Sequence, residues 1–257
     1  MKTASFPSVS VLIPAYNEEK YIYRTLAALV AQDYPDYEII IADNASSDRT
    51  AFVVQQFINQ QPVSAVRIKL VHEERRGTNF ARESARQQAS GQIIAQMDAD
   101  CVPAANWLRK GVTALTKNRQ RVAVTGPYDY FDGGSRMRFF SLASQKLIYP
   151  FISDMVQFSR RGAILIGGNA FIYAGILEKA GGYNTAFTFY GDDVELGNQL
   201  SRFGHVAYIP GLVQQSSSRR YQANGFWEVN KKYQDCFWNL VWRKDVLLTT
   251  AENSHPR

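Results

Sequence analysis

The first hundred residues alternate between short apolar runs and longer amphipathic stretches. The apolar runs occupy residues 9–14, 38–42, 66–71 and 93–97. Runs of this length are typical of strands buried in a parallel sheet. Apolar residues recur at helical spacing in the stretches that separate them, at residues 22–30, 52–58 and 77–89. The resulting order β-α-β-α-β-α-β predicts a parallel sheet with right-handed crossovers.

The second half of the chain has a weaker pattern. Residues 121–125 and 206–210 each predict one further strand. Residues 136–158 are rich in large apolar side chains, carry few charges and are interrupted near Pro150. This amphipathic segment either packs on the protein's own core or forms a membrane-lying or acceptor-binding surface. Residues 224–248 interleave aromatic and basic side chains, which suits packing on the main domain, a dimer contact or peripheral contact with a membrane.

The bulk composition is ordinary for a globular protein. The 257 residues suffice for one large α/β domain or two small ones, and the net charge of +6 suits nucleotide phosphates, an anionic membrane or simply a soluble surface. Cys101 and Cys236 are far apart and suggest no disulfide framework, so a reducing cytoplasm is the expected compartment. We expect no secretion signal, no membrane-spanning helix and no nucleic-acid partner.

Polar residues follow each of the first four predicted strands. In chain order they are Tyr16 and Glu18, Asp43, Arg75 to Gly77, and the pair Asp98 and Asp100. The carboxyl ends of parallel strands share one edge of a sheet, where ligands bind in open α/β folds. Two carboxylates at the end of a buried strand are costly unless a cation lies between them, and hard oxygen ligands suit Mg²⁺ or Mn²⁺. The alternative is that Asp98 and Asp100 cap a helix that begins near Pro103.

The motifs of two large nucleotide-binding classes are missing from the sequence. No G-x-G-x-x-G follows the first strand, and no G-x-x-x-x-G-K-[ST] occurs. The dinucleotide-binding and P-loop interpretations are therefore weak. Aromatic, carboxylate and cationic groups at one edge instead favour a nucleoside diphosphate site.

Four segments, taken in order, resemble successive motifs of a known enzyme family. They read V-S-V-L-I-P-A-Y-N-E-E, I-I-I-A-D-N-A-S-S-D-R-T, R-G-T-N-F-A-R-E-S-A and M-D-A-D-C-V-P. This series is similar to inverting glycosyltransferases of family 2, which have the GT-A fold. The resemblance implies a single α/β domain with a Rossmann-like, mostly parallel sheet, helices on both faces and a C-terminal helical extension. On this view residues 1–125 bind the nucleotide sugar, residues 126–210 bind the acceptor, and residues 211–257 form the basic and aromatic extension.

The resemblance also implies roles for residues of the first half. The donor would be contacted by Pro14, Ala15, Tyr16, Glu18, Asp43, Gly77, Arg82, Asp98 and Ala99. Asp43 would hydrogen-bond the base or ribose, which suits uracil. Asp98 would face the ribose and sugar, and Asp100, with Asp98, would bind the metal that bridges the diphosphate. Without the resemblance, Asp43 and Arg82 are equally well explained as a turn residue and a surface cation.

The acceptor half of the family is matched less completely. G-G-N at residues 167–169, including Gly168 and Asn169, is followed by G-G-Y-N and then by G-D-D-V-E-L at residues 191–196. On this alignment Asp193 is the general base that takes the acceptor proton, as glycosyl transfer requires. Asp192 and Glu195 would orient Asp193 or touch the acceptor. The alternative is that these carboxylates merely favour a helix N-terminus.

The metal site lacks a histidine that many relatives carry after the last strand. In its place the chain reads Q-Q-S-S-S-R-R, which resembles a bacterial-type subgroup with an S-x-R-R segment. Arg219 and Arg220 are candidates for neutralising the leaving diphosphate. They are equally well explained as an exposed basic pair.

The sequence thus predicts a metal-dependent inverting glycosyltransferase that uses a nucleotide-diphospho-sugar, with UDP as the expected nucleotide. The acceptor would be a glycan or a lipid-linked glycan, at the inner face of the cytoplasmic membrane or in the cytoplasm, and a homodimer is an open possibility. Two alternatives remain at this point: a sugar nucleotidyltransferase and a non-catalytic, membrane-associated binding protein. The first would normally show a Gly-rich basic loop after the first strand, which P-A-Y-N-E-E lacks.

Overall fold

A computed structural model describes residues 6–62, 66–159, 162–187 and 191–225, together with 228, 229, 231 and 235. The strands in this part of the chain are β1 Val9–Ala15, β2 Tyr37–Asp43, β3 Arg67–His72, β4 Ile93–Met97, β5 Arg121–Thr125, β6 Tyr128–Tyr130, β7 Asn169–Tyr173, β8 His205–Tyr208 and β9 Gln214–Ser216. The helices are α1 Ile22–Val30, α2 Thr50–Gln60, α3 Thr78–Gln87, α4 Trp107–Thr116, α5 Ser135–Leu147, α6 Tyr149–Phe158, α7 Ala174–Lys179, α8 Asp192–Ser201 and α9 Arg219–Asn224.

Seven strands form the central sheet, in the order β3-β2-β1-β4-β7-β5-β8. Strands β1 to β4 pair in parallel, and β8 pairs in parallel with β5. The exception is β7, which runs antiparallel to both of its neighbours. The mostly parallel α/β fold expected from the sequence is therefore confirmed, although the pattern did not predict the reversed strand.

Strand β4 lies in the middle of the sheet and is buried on both faces. Ile93, Ala95 and Met97 pack in one apolar cluster, whereas Ile94 packs in a second cluster on the other face. This double burial explains why the sequence of β4 is an apolar run without alternation. It also delivers Asp98 to the carboxyl edge of the sheet, next to the end of β1.

Asn17 lies before α1 but does not cap it, because α1 begins five residues later; its φ is 54°, and its Oδ1 accepts a hydrogen bond from the Ser47 backbone N–H over 2.8 Å. Asp98 and Asp100 do not cap a helix either, because α4 begins only at Trp107. The capping explanation for this carboxylate pair is therefore removed.

The small β6–β9 sheet and the helices α5 and α6 lie beside the main sheet. Helix α5 ends at Leu147 and helix α6 begins at Tyr149, close to the break near Pro150 that the sequence predicted. We call α5 and α6 together the helical arm. Most of residues 224–248 lies outside the described residues, so the interpretation of that segment stays a prediction. Within the described part of the chain, no helix is both long enough and apolar enough to cross a bilayer.

Candidate active site

A cavity opens at the carboxyl ends of β1 and β4, between the first half of the chain and the segments that follow β7 and β9. Many of the residues singled out in the sequence line it: Pro14, Ala15, Tyr16, Glu18, Arg82, Asp98, Ala99, Asp100, Asp192, Asp193, Arg219 and Arg220. The fold therefore brings together residues from both ends of the described chain. Their convergence follows from the sheet order, which places β1 and β4 side by side.

Arg82 is the centre of the charged groups in this cavity. Its Nη1 donates to Oδ2 of Asp192 over 2.8 Å and to Oδ1 of Asp193 over 3.3 Å. Its Nη2 lies 3.5 Å from Oδ1 of Asp98. The Arg82 side chain is only 5% exposed, so this cation is nearly desolvated and is held by three carboxylates. A single guanidinium thus joins the end of β4 to the start of α8.

The environment raises the pKa of both α8 carboxyls. Burial and the adjacent charge of Asp193 raise the pKa of Asp192 to about 7, against the opposing effect of Arg82. Burial likewise raises the pKa of Asp193, which Arg82 again opposes. Burial by itself lowers the pKa of Arg82, but the charges of Asp193 and Asp192 outweigh it and raise that pKa, so the guanidinium stays protonated.

Two glycines before β7 let the main chain approach these side chains. A Cβ on Gly167 would collide with Oδ1 of Asp193 and lie 2.7 Å from Nη2 of Arg82. A Cβ on Gly168 would collide with the hydroxyl of Tyr128 and with Asp98. The Gly-Gly pair is therefore required by packing against the charged cluster.

Asp98 and Asp100 provide the hard oxygen atoms that a divalent cation needs. Ligand atoms of Asp98, Asp100 and Cys101 lie within 4.8 Å of one another. Cys101 is fully buried, and burial raises the pKa of its thiol well above the ordinary value, so the thiol stays protonated and is a poor ligand. The two carboxylates fit Mg²⁺ or Mn²⁺, with the remaining positions open to phosphate oxygens and water.

Arg219, at the start of α9, reaches back to the first strand. Its guanidinium forms a two-pronged ion pair with Glu18, and its Nη2 lies 3.1 Å from Oδ2 of Asp100. It also lies over the ring of Tyr21, 4.8 Å from the ring centroid. This position is consistent with the prediction that Arg219 belongs to the site. Glu18, which was predicted to contact the donor, lines the cavity and also pairs with Arg219.

Asp43 is not among the described residues that line the cavity. It is buried, and its Oδ2 lies 3.6 Å from Nδ1 of His72. The next residue, Asn44, lines the cavity instead. Asn44 donates to the carbonyl of Arg75 over 2.6 Å and accepts from the N–H of Gly77 over 2.8 Å. Gly77 has a φ of 139° and holds the side chain of Asn44 through this N–H, but it is not among the described residues that line the cavity.

Three residues expected near the acceptor, Gly168, Asn169 and Glu195, are not among the described residues that line the cavity. Asn169 is fully buried, accepts a hydrogen bond from Nε1 of Trp107 over 2.9 Å and donates to the carbonyl of Leu212 over 2.7 Å. These contacts tie Asn169 into the core, and a contact between Asn169 and an acceptor stays a prediction. Glu195 accepts from Gln199 over 3.2 Å, one turn further along α8, and its contact with an acceptor likewise stays a prediction.

The sequence pattern missed several residues of the cavity wall. They are Asn44, Thr78, Tyr128, Tyr130, Ser216, Ser217 and Tyr221. Tyr128 donates its hydroxyl to Oδ2 of Asp98 over 3.0 Å, and Ser217 donates to Asp132 over 2.5 Å. Tyr128, Tyr130 and Ser216 belong to the three-residue strands β6 and β9, which are too short for periodicity to reveal.

Comparison with known proteins decides the family. The family model described as "Glycosyl transferase family 2" matches residues 10–181, which is more than half of the chain. The chain belongs to glycosyl transferase family 2. This membership favours the glycosyltransferase interpretation over the sugar nucleotidyltransferase and the non-catalytic binding protein considered from the sequence.

Two curated family members illustrate the similarity. The chain is 34% identical over 142 residues to the Escherichia coli enzyme WfgD, a UDP-Glc:alpha-D-GlcNAc-diphosphoundecaprenol beta-1,3-glucosyltransferase, covering 55% of this chain and 53% of WfgD. It is 37% identical over 116 residues to the glycosyltransferase AglE of Haloferax volcanii, covering 44% of this chain and 37% of AglE. The chain thus spans about half or less of the length of these relatives.

Solved structures of glycosyltransferases share the fold. The mannosyltransferase PcManGT of Pyrobaculum calidifontis, solved with GDP-Man and Mn²⁺, matches with a TM-score of 0.67 and 26% identity over 89% of this chain and 61% of PcManGT. The Staphylococcus aureus protein TarS, residues 1–349, solved with UDP, matches with a TM-score of 0.61 over 90% of this chain and 66% of TarS. At 18% identity the TarS match supports the GT-A fold alone.

Proposed function

We propose that this family 2 glycosyltransferase is a metal-dependent, inverting enzyme. It moves a sugar from a nucleoside diphosphate to a hydroxyl of a glycan or lipid-linked glycan. The observation that carries the proposal is the cluster of Asp98, Arg82 and Asp193, in which one buried cation joins a carboxylate of the donor side to a carboxylate of the acceptor side. Residues 1–125 form the donor half in this account, and residues 126–210 form the acceptor half.

The donor is a nucleotide-diphospho-sugar with UDP as the favoured nucleotide. WfgD is named for UDP-Glc, whereas PcManGT was solved with GDP-Man. Tyr16 lines the cavity, and the Arg76 guanidinium lies over its ring, 5.1 Å from the ring centroid. The Tyr16 ring offers a flat surface for a base. Asp43 stays a candidate for reading the base, because its buried Oδ1 has no hydrogen-bond partner among the described residues.

Asp193 is the general base of the proposed reaction. Its side chain is 32% exposed, so an acceptor hydroxyl can reach it, and it lies at the N-terminus of α8. The hydroxyl oxygen attacks the anomeric carbon as Asp193 takes its proton, while the bond from that carbon to the diphosphate breaks on the opposite face. Arg82 holds Asp193 in place by a hydrogen bond, and Asp192 neutralises part of the positive charge of Arg82.

The departing diphosphate needs positive charge on the other side of the sugar. A divalent cation held by Asp98 and Asp100 would neutralise part of the developing charge. Arg219 and Arg220 line the same cavity and supply further positive charge to the leaving group. Tyr128 holds Asp98 by its hydroxyl and thereby fixes one of the two carboxylates.

Ligand-induced thermal stabilisation tests the donor and the metal together. UDP, GDP, UDP-glucose and GDP-mannose are each added with and without Mn²⁺, and nucleotide release from the sugar nucleotides is measured in parallel. The proposal predicts that Mn²⁺ strengthens stabilisation by one nucleotide class, with UDP favoured, and that the matching sugar nucleotide releases its nucleoside diphosphate. In Asp100→Asn the added effect of Mn²⁺ should be lost. Stabilisation by no nucleotide, or no difference between Asp100→Asn and the parent protein, contradicts the proposal.

A further inference from the structure

The helical arm carries an apolar surface that is exposed in the described part of the structure. Its members, which we call the outer stripe, are Phe140, Leu147, Ile148, Phe151, Met155 and Phe158, and their residue exposures range from 46% to 93%. Steps of seven, four, four and three residues separate most of them, so they follow one face of a helix. The backbone continues through the break, since Ile152 N–H donates to the carbonyl of Ile148 over 3.1 Å.

The opposite face of the arm is attached to the domain by polar contacts. Gln145 accepts from the N–H of Tyr128 over 2.9 Å and donates to its carbonyl over 3.0 Å. Gln157 makes the same two-way contact with Val206, at 2.9 and 2.6 Å. The outer stripe is therefore not needed to hold the arm in place. Soluble monomers rarely expose an apolar surface of this extent unless it binds something.

The charges around the outer stripe favour an anionic lipid surface as its occupant. Arg136 and Lys146 are exposed on α5, and Asp154 is the one acidic residue within the arm. The whole chain carries a net charge of +6. Apolar side chains flanked by cations are typical of helices that lie in a membrane interface.

The arm is also connected directly to the active site. Gln145 holds the backbone of Tyr128, and the hydroxyl of Tyr128 donates to Asp98. Tyr130, two residues after Tyr128 in β6, also lines the cavity. The arm is therefore linked to the cavity wall through Tyr128.

We propose that the outer stripe docks the protein onto an anionic bilayer and presents the cavity to acceptors held in that membrane. The inference deepens the proposed function, because it rests on a lipid-linked acceptor. The docking itself needs neither donor nor acceptor. Its failure is therefore distinguishable from a failure of the transferase proposal.

Vesicle flotation of the full chain tests the proposal. One set of vesicles is phosphatidylcholine alone, and the other contains about a quarter phosphatidylglycerol. The parent protein should float with the anionic set, and Phe151→Gln/Phe158→Gln should reduce its partitioning by at least about tenfold. The control Phe52→Gln removes a phenylalanine of α2 that is 55% exposed and lies outside the arm, and this variant should partition like the parent protein. Arg136→Gln/Lys146→Gln should weaken binding to the anionic vesicles by about tenfold.

Three results would overturn the docking surface. They are a parent protein that does not bind anionic vesicles, a stripe variant that floats as well as the parent, and a Phe52→Gln variant that loses binding to the same extent. Sedimentation velocity distinguishes the competing occupant: a parent dimer that the stripe variant dissociates, without vesicle binding, assigns the surface to a second copy. Donor hydrolysis by the stripe variant, measured without vesicles, should match the parent and confirms that the variant is folded.

Discussion

Arg82 donates from Nη1 to Oδ2 of Asp192 over 2.8 Å, although 110 positions of the chain separate the two residues. Arg82 belongs to α3 of the donor half, and Asp192 is the first residue of α8. Asp98, at the end of β4, lies within 3.5 Å of the same guanidinium. Both halves of the proposed active site are therefore joined through one buried cation, and loss of that cation should affect both.

Removing the cation tests this connection. Arg82→Met leaves three carboxylates around an uncharged side chain, two of them mostly buried, and breaking a buried ion pair in this way typically costs about 3–5 kcal/mol. The free energy of unfolding, measured in urea at pH 8, should fall by about that amount, and transfer should fall at least about a hundredfold. Arg82→Lys should recover part of the stability. A variant as stable as the parent protein would show that the cluster does not depend on Arg82.

The pKa of Asp192 predicts a pH dependence of stability. The ordinary value is 3.8 and the folded value is about 7, so the folded state binds more protons than the unfolded state between these values. This group therefore contributes stability that is fully present below its unfolded pKa and is lost as pH rises through about 7. Relative to the parent protein, Asp192→Asn should become progressively more stable from pH 5 to pH 8. A stability difference that is constant over this range would contradict the raised pKa.

The raised pKa of Asp193 predicts the acid side of the activity profile. The base must be ionised to accept a proton, so kcat/KM should rise with pH through a range above that of an ordinary aspartate. Arg82 lowers the pKa of Asp193, so Arg82→Met should move this rise to higher pH. The test measures the residual kcat/KM of Arg82→Met across pH. A pH profile equal to that of the parent protein would show that Arg82 does not affect the ionisation of Asp193.

The close approach at Gly168 is tested with a single methyl group. In Gly168→Ala the new Cβ meets the hydroxyl of Tyr128 and the carboxylate of Asp98, so one of these groups must move. A shift of this size in a proposed metal ligand should reduce transfer by about a hundredfold. Gly175→Ala is the matched control, because its Cβ meets nothing within 4 Å. Equal activities of the two variants would show that the position of Asp98 is not critical.

The sequence predicted the donor side of the fold better than the acceptor side, for a physical reason. Strands β2 and β4 are buried throughout and β1 is buried except at Pro14, so their apolar runs and the polar residues after them are visible without a structure. Strand β7 is buried except at Tyr173, but nothing in its composition distinguishes antiparallel from parallel pairing. The direction of a side chain such as Asn169, which contacts Trp107 in the core, depends on tertiary packing and is not visible in the sequence.

Asp43 shows a further limit of sequence reasoning. The end of a strand can be located to within a residue, but which of two adjacent polar side chains faces the cavity depends on the loop that follows. Asn44 faces it and is held by the loop of residues 73–77, whereas Asp43 lies beside His72. The role of Arg82 was similarly visible only in part, since the charges that surround it come from segments distant in the chain.

Asp193→Asn tests the central claim most directly, because it removes the proposed base and leaves a side chain of nearly the same shape. Sugar transfer by the purified chain is measured with the donor found in the thermal screen, and the affinity for that donor with Mn²⁺ is measured by calorimetry on the same preparation. The account predicts that transfer falls by about a hundredfold or more while donor affinity changes little. Transfer at a rate comparable to that of the parent protein would show that Asp193 is not the base and that this account of the cavity is wrong.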